Sequence, residues 1–135
     1  MTTKQFYGRK SDVMIKVPKG VRKEAQMALD LKKIGFVGAT ETGWKRANQL
    51  VSKEFIPIQD VRYIRNWYAR HIYTSMPGYL EWEDFGKLRK KEWFKHRAVL
   101  SWLTWGGTPG LNWVNSNLVI NKLNNYFDTS YTKFN

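Results

Sequence analysis

The chain contains no cysteine. That absence excludes disulfides, a thiolate nucleophile and every cysteine-based zinc site, and it fits a reducing compartment. Long apolar runs are missing too, since no segment approaches the roughly 18 residues that a membrane span needs. The N-terminus lacks the apolar core of a signal peptide, so secretion is not expected. Negative charge is the third scarcity. Over 135 residues, Asp and Glu number 11 against 23 Lys and Arg, for a net charge of +12. Gly-rich phosphate loops, His-Glu metal motifs and nucleophile elbows are absent. The expectation is a protein that is not an enzyme, with no catalytic residue, no metal and no cofactor.

What is present narrows the class of partner. Trp, Tyr and Phe occur seven times each and make up 16% of the chain. Aliphatic residues are sparse, so part of this aromatic complement must build the core. Surplus rings beside arginines suit stacking on bases, at about 1–3 kcal/mol per base. They equally suit a protein interface, where Trp, Tyr and Arg are the usual anchors. The positive charge is not a tail effect. Residues 1–97 hold 21 basic and 10 acidic residues, whereas residues 98–135 hold two lysines and one aspartate. A basic excess spread through a compact chain favours a polyanion, most often nucleic acid. A membrane surface is the competitor, but no long amphipathic helix carries a sustained Lys/Arg face.

The chain is organised around Arg62 to Tyr79, RYIRNWYARHIYTSMPGY, with no acidic residue between Arg62 and Leu80. The spacing predicts a helix from Ile58 to about Thr74. Val61, Ile64, Trp67, Tyr68 and His71 share one face on a 3.6-residue period. Arg62, Arg65, Asn66 and Arg70 share the other, with Tyr73 among them. An ordinary solvated face mixes its signs, and this one does not.

Around that helix the chain reads in order. Residues 1–11, with Lys4, Arg9, Lys10, Phe6 and Tyr7, form a flexible basic arm. Asp12 to Val17 is at most one short strand. Pro18-Lys19-Gly20 is a turn into a helix from Val21 to about Ile34, stopped by Gly35 and ringed by Arg22, Lys23, Lys32 and Lys33. Thr40 or Thr42 caps a helix from Gly43 to about Lys53. Trp44, Ala47, Leu50 and Val51 are its apolar stripe, and Lys45 and Arg46 lie on its polar side. Helix starts of this kind bind phosphate, but Glu41 puts a carboxylate where the anion would sit. Phe55-Ile56-Pro57 is expected to open the central helix, giving a helix-turn-helix-like outline.

Lys87 to Arg97 holds six basic residues, Lys90 and Lys91 among them, and one acid. It predicts a helix that reaches about Trp105 and buries Val99, Trp102 and Leu103. Gly106 to Gly110 ends it, and a short helix starting at Pro109 carries Leu111, Trp113 and Val114. Residues 115–135 are rich in Asn. They read as an appendage with one amphipathic helix (Leu118, Val119, Leu123, Tyr126, Phe127) and a loose end from Asp128.

Two groups could carry chemistry. Glu81, Glu83 and Asp84 form the one acidic cluster, and clustered carboxylates hold Mg²⁺ in nucleases. A solvated acidic turn is the commoner explanation. His71 lies near Thr74, Ser75 and Tyr79, a His-hydroxyl set of the type that activates a nucleophile. It also falls on the apolar face of its helix, where a histidine bonded to a backbone carbonyl is commoner.

Four segments occur in a recognisable order: VPKGVRKEAQMALDL, GATETGWKRANQL, IRNWYARH with TSMPGY, and AVLSWLTWGG followed by a later Trp. Over residues 17–114 the pattern resembles a small uncharacterised domain of tailed phages and other large double-stranded DNA viruses, in some of them fused to head-morphogenesis or structural proteins. That family carries no established activity, so no catalytic residue is carried over. The resemblance implies a viral source and a place near packaged DNA, in the virion or the host cytoplasm. The two ends depart from the pattern.

The expected fold is therefore mainly α. It is a small single-domain helical bundle over residues 12–114 with at most one short N-terminal strand, flanked by the arm and the appendage. Its expected core is Trp44, Ile64, Tyr68, Trp102 and Leu103. Nucleic acid, DNA before RNA, is the expected partner. Lys45, Arg46, Arg62, Arg65, Arg70, Lys90 and Lys91 would contact phosphates, and Tyr73 or Trp67 would stack on bases. Capsid or other virion proteins are the alternative partners of a structural minor capsid or internal head protein. A Mg²⁺-dependent nuclease is the third reading, and no membrane partner is expected.

Overall fold

A computed structural model describes residues 13–36, 38–72 and 97–134. The basic arm, Tyr73, the acidic cluster and Lys87 to His96 lie outside the described residues. Among those described, the protein is a small, mainly helical domain with one two-stranded sheet.

Strand β1 (Met14–Lys16) alternates, with Ile15 buried and Met14 and Lys16 outside. Helix α1 (Lys19–Lys33) follows Pro18. It ends in a Schellman motif: Gly35 N–H donates to Lys32 O and Phe36 N–H to Leu31 O, both at 3.0 Å. Gly35 sits at φ +103°, a conformation that other residues resist. Helix α2 (Glu41–Ser52) is capped by Thr40, whose Oγ1 accepts from Gly43 N–H at 3.0 Å.

A second strand, β2 (Phe55–Pro57), stands where the central helix was expected to begin. Proline disfavours the helical conformation in the residue before it, so Ile56 is held extended. The strand pairs antiparallel with β1, Ile15 opposite Ile56 and Lys16 opposite Phe55. Val17 N–H to Glu54 O at 2.8 Å and Ile58 N–H to Val13 O at 3.1 Å extend the ladder. The expected lone strand thus has a partner. Helix α3 (Ile58–His71) starts immediately after Pro57.

Three more helices complete the described chain: α4 (Arg97–Thr104), α5 (Gly107–Val114) and α6 (Asn117–Phe127). Helix α5 begins two residues before Pro109, because Gly106 and Gly107 take positive φ values of +118° and +66° and turn the chain tightly. Side chains also demand those glycines. A Cβ on Gly106 would stand 2.9 Å from Val21, and one on Gly107 would stand 2.5 Å from the Glu24 carboxylate.

Helices α1 and α2 form an antiparallel hairpin. Arg22, near the start of α1, donates to the Lys53 carbonyl past the end of α2 at 3.1 Å. Lys32, near the end of α1, stands over the Trp44 ring at 5.0 Å. Ala25, Ala28 and Ala47 are small enough to let the elements close up on one core. That core holds Ile64, Tyr68, Trp102 and Leu103 as expected, while Trp44 packs at its rim, half-buried. Trp67 stacks on Trp105 with centroids 5.1 Å apart, and Tyr68 meets Trp102 edge-on at 5.0 Å. Such pairs add about 0.5–1.5 kcal/mol each beyond the area they bury. The Tyr68 hydroxyl bridges the α4–α5 turn, at 2.6 Å from Gly107 O and 3.1 Å from Trp105 O.

Residues 128–134, expected to be loose, are held in place. Asp128 takes φ +55° and reverses the direction after α6. Asn124 then holds the returning segment: its Oδ1 accepts from Tyr131 N–H at 2.7 Å and Thr129 Oγ1 at 2.9 Å, and its Nδ2 donates to Tyr131 O at 3.0 Å. Asn115 Oδ1 accepts from Phe134 N–H at 2.8 Å. Two of the asparagines that gave this region its polar composition thus hold the returning segment against α6 and the turn before it.

Candidate nucleic-acid interface

Three of the four arginines expected to meet phosphates, Arg46, Arg62 and Arg65, have other partners. Arg46 is 2% exposed and faces the buried Asp60, with Nη1 at 3.6 Å from Oδ1. Its Nη1 also donates to Gln49 Oε1 at 2.5 Å, and Gln49 Nε2 donates to Asp60 Oδ2 at 2.8 Å. The guanidinium stands over the Trp105 ring at 5.2 Å. Arg46 is a core residue and presents no face to a ligand. On the helical period it falls beside the polar Lys45 and Gln49, and its carboxylate partner lies on α3.

Arg62 and Arg65 share a face of α3 as the period predicts, but the C-terminal tail lies across it. Arg62 Nε donates to Tyr131 Oη at 3.1 Å, and its guanidinium stacks over Phe127 at 4.5 Å. Arg65 is sandwiched between the Tyr131 and Phe134 rings, at 4.3 and 4.5 Å, and donates to Thr132 O. Burial draws the Arg65 guanidinium below its ordinary pKa, and the Tyr131 phenol pulls the other way. The basic face that a helix-turn-helix reading would offer to a groove is occupied by this chain's own aromatics.

Trp67 has no free ring face for a base, since His71 stacks on it at 4.4 Å and Trp105 at 5.1 Å. His71 Nδ1 lies 2.8 Å from Trp67 O, the backbone-bonded histidine that its apolar position suggested. Of the remaining expected contacts, Arg70 is exposed at the end of α3. Lys45 is exposed and 3.5 Å from Glu41. Tyr73, Lys90 and Lys91 lie outside the described residues, as do Glu81, Glu83 and Asp84. Among the described residues no group of three His, Asp or Glu side chains could hold a metal, and no helix is long and apolar enough to cross a membrane.

The structure instead gathers cations at the end of the α1–α2 hairpin. Lys19, Arg22 and Lys23 occupy one turn of α1 at i, i+3 and i+4, so they share a face. Arg22 reaches the Lys53 carbonyl, and Lys16 on β1 stands 3.9 Å from Glu54 in the adjoining connector. The four lysines are exposed and Arg22 is half-buried. Two acids belong to these segments. Glu54 faces Lys16, and Glu24 turns away to pack against Gly107 at the positive end of α5. The i, i+3, i+4 spacing was visible in the sequence. The strand pairing and helix hairpin that add Lys16 and Lys53 were not.

No family model, no curated protein and no solved structure matches the chain.

Proposed function

We propose that this is a basic nucleic-acid-binding domain, DNA favoured over RNA, that holds backbone phosphates with little sequence preference. The reading rests on one observation. At the hairpin end Lys16, Lys19, Lys23 and Lys53 are exposed around the half-buried Arg22, while Glu24 packs against Gly107 and Glu54 faces Lys16. The described residues include 15 basic and 6 acidic ones, so the folded part itself is strongly positive. Lysine is a point charge without the planar fork that reads base edges, which suits phosphate contact rather than sequence readout. The resemblance of the four ordered segments to a domain of large double-stranded DNA viruses supports a place beside packaged DNA, in the virion or the host cytoplasm.

Salt dependence tests it. Each phosphate neutralised on duplex DNA contributes about −0.9 to the slope of log affinity against log salt, so four or five contacts give about −4. The triple variant K19A/K23A/K53A should flatten that slope by about 2.7 while unfolding at an unchanged temperature. A wild-type affinity that barely responds to salt, or a triple variant with the wild-type slope, refutes the reading.

A second reading, a structural minor capsid or internal head protein, is favoured by the outer face of the sheet. Met14 and Phe55 are large apolar side chains left exposed there. Purified particles would then carry the protein in fixed copy number and keep it after their DNA is removed.

A further inference from the structure

Arg46 and Arg65 are both buried, and they differ in what faces them. Arg46 has Asp60. Arg65 is 5% exposed, and no carboxylate among the described residues pairs with it. It has one carbonyl, from Thr132, and two aromatic rings, while its buried Nε–H has no acceptor among the described residues. A dipole and two ring faces offset only part of what a buried charge loses on leaving water, so among the described residues this guanidinium has no counter-ion.

A groove of about 400 Å³ opens beside it, between α3 and the tail. Arg65, Ser130, Thr132 and Lys133 supply its polar lining, and Ala69 and Ile72 an apolar wall. Two cations and the hydroxyl side chains of Ser130, Tyr131 and Thr132 line this space, and among the described residues no acid does. A carboxylate offers two oxygens and one charge. A phosphate offers three or more oxygens and close to two charges, which matches the donors better. The volume exceeds a bare phosphate and leaves room for a sugar-sized body against the apolar wall.

We propose that this groove binds a phosphate group, free or as a monoester, with the anion between Arg65 and Lys133. The site is separate from the lysine cluster at the hairpin end and does not depend on duplex binding.

Calorimetric titration of the full chain with AMP, adenosine and inorganic phosphate, at matched ionic strength, tests it. Saturable one-to-one binding of AMP, with adenosine silent, is expected. If inorganic phosphate binds as tightly as AMP, the ligand is the free ion; if AMP is tighter, it is the monoester, such as a nucleotide or a 5′-phosphorylated strand end. Because Arg65 is buried and its loss would also cost stability, the exposed Lys133 carries the mutational arm. K133A should weaken binding about tenfold, the loss expected for one charge-assisted hydrogen bond. K19A/K23A/K53A should leave it unchanged. Absence of saturable binding, adenosine binding as well as AMP, wild-type affinity in K133A, or loss of binding in the triple lysine variant each overturns the proposal.

Discussion

Replacing Arg46 by Met would separate a structural arginine from a phosphate-binding one. Arg46 and Asp60 stand 3.6 Å apart, and both side chains are almost fully buried. At an effective dielectric of about 20, two unit charges at that distance attract by about 4–5 kcal/mol. Removing either partner also leaves the other charge in a site it would not enter alone, and such losses typically cost about 3–5 kcal/mol. That is a large share of the roughly 5–15 kcal/mol that holds a small domain together. R46M and D60N are each expected to cost about 3–4 kcal/mol by that reasoning. The amide introduced by D60N keeps the volume and an acceptor for Gln49 Nε2, which donates to Asp60 at 2.8 Å in the wild type. The double variant R46M/D60N removes both charges and should cost only about 1–2 kcal/mol, mostly for the donor lost to Gln49. Urea unfolding of the four proteins gives the cycle, with an expected coupling of at least about 3 kcal/mol. Additivity within about 0.5 kcal/mol would refute a charge-paired core site. The duplex-binding slope is the second readout. A stable R46M protein whose slope has dropped by about 1 would place Arg46 on a phosphate after all.

The parts of the fold set by local chemistry were legible in the sequence. Gly35 as a stop, Thr40 as a cap and the apolar face of α3 follow from periods and turn preferences that act over a few residues. The second strand was missed because Pro57 was assigned to a helix start, while its effect on Ile56 favoured extension. The site fared worse for a physical reason. A positive stripe on a helix is compatible with solvent, a phosphate, a buried carboxylate or an aromatic lid, and the stripe itself does not choose. Asp60 decides it for Arg46, from 14 positions along the chain, and Tyr131 and Phe134 decide it for Arg65, from 66 and 69 positions along. Arginine is the cation best suited to such partners, because its planar group stacks on rings and is weakly hydrated. Among the described residues the buried cations are arginines and the exposed cations at the hairpin end are lysines, a division that composition alone does not reveal.

Two further predictions probe the elements that position the site. Gly110 lies inside α5, where Ala would ordinarily gain about 1 kcal/mol, yet a Cβ there would collide with the Tyr68 hydroxyl. G110A should therefore destabilise by about 1–2 kcal/mol, and by clearly less in a Y68F background; equal costs in the two backgrounds would show that the hydroxyl is not the obstacle. N124A tests the tail. It deletes three hydrogen bonds to residues 129 and 131, worth about 0.5–1.5 kcal/mol each. Because the tail touches the domain from outside, the loss should appear as local opening rather than global unfolding. Amide exchange at residues 129–134 should speed up by about tenfold or more, while the amides of α1 and α3 keep their wild-type rates. An opened tail also frees Arg62 and Arg65, so the duplex-binding slope should steepen by as much as about 1.8, two phosphates' worth. Faster exchange throughout the domain would mean that the tail is part of the cooperative core. Faster tail exchange with an unchanged slope would mean that these two arginines make no contact with duplex phosphates even when the tail opens.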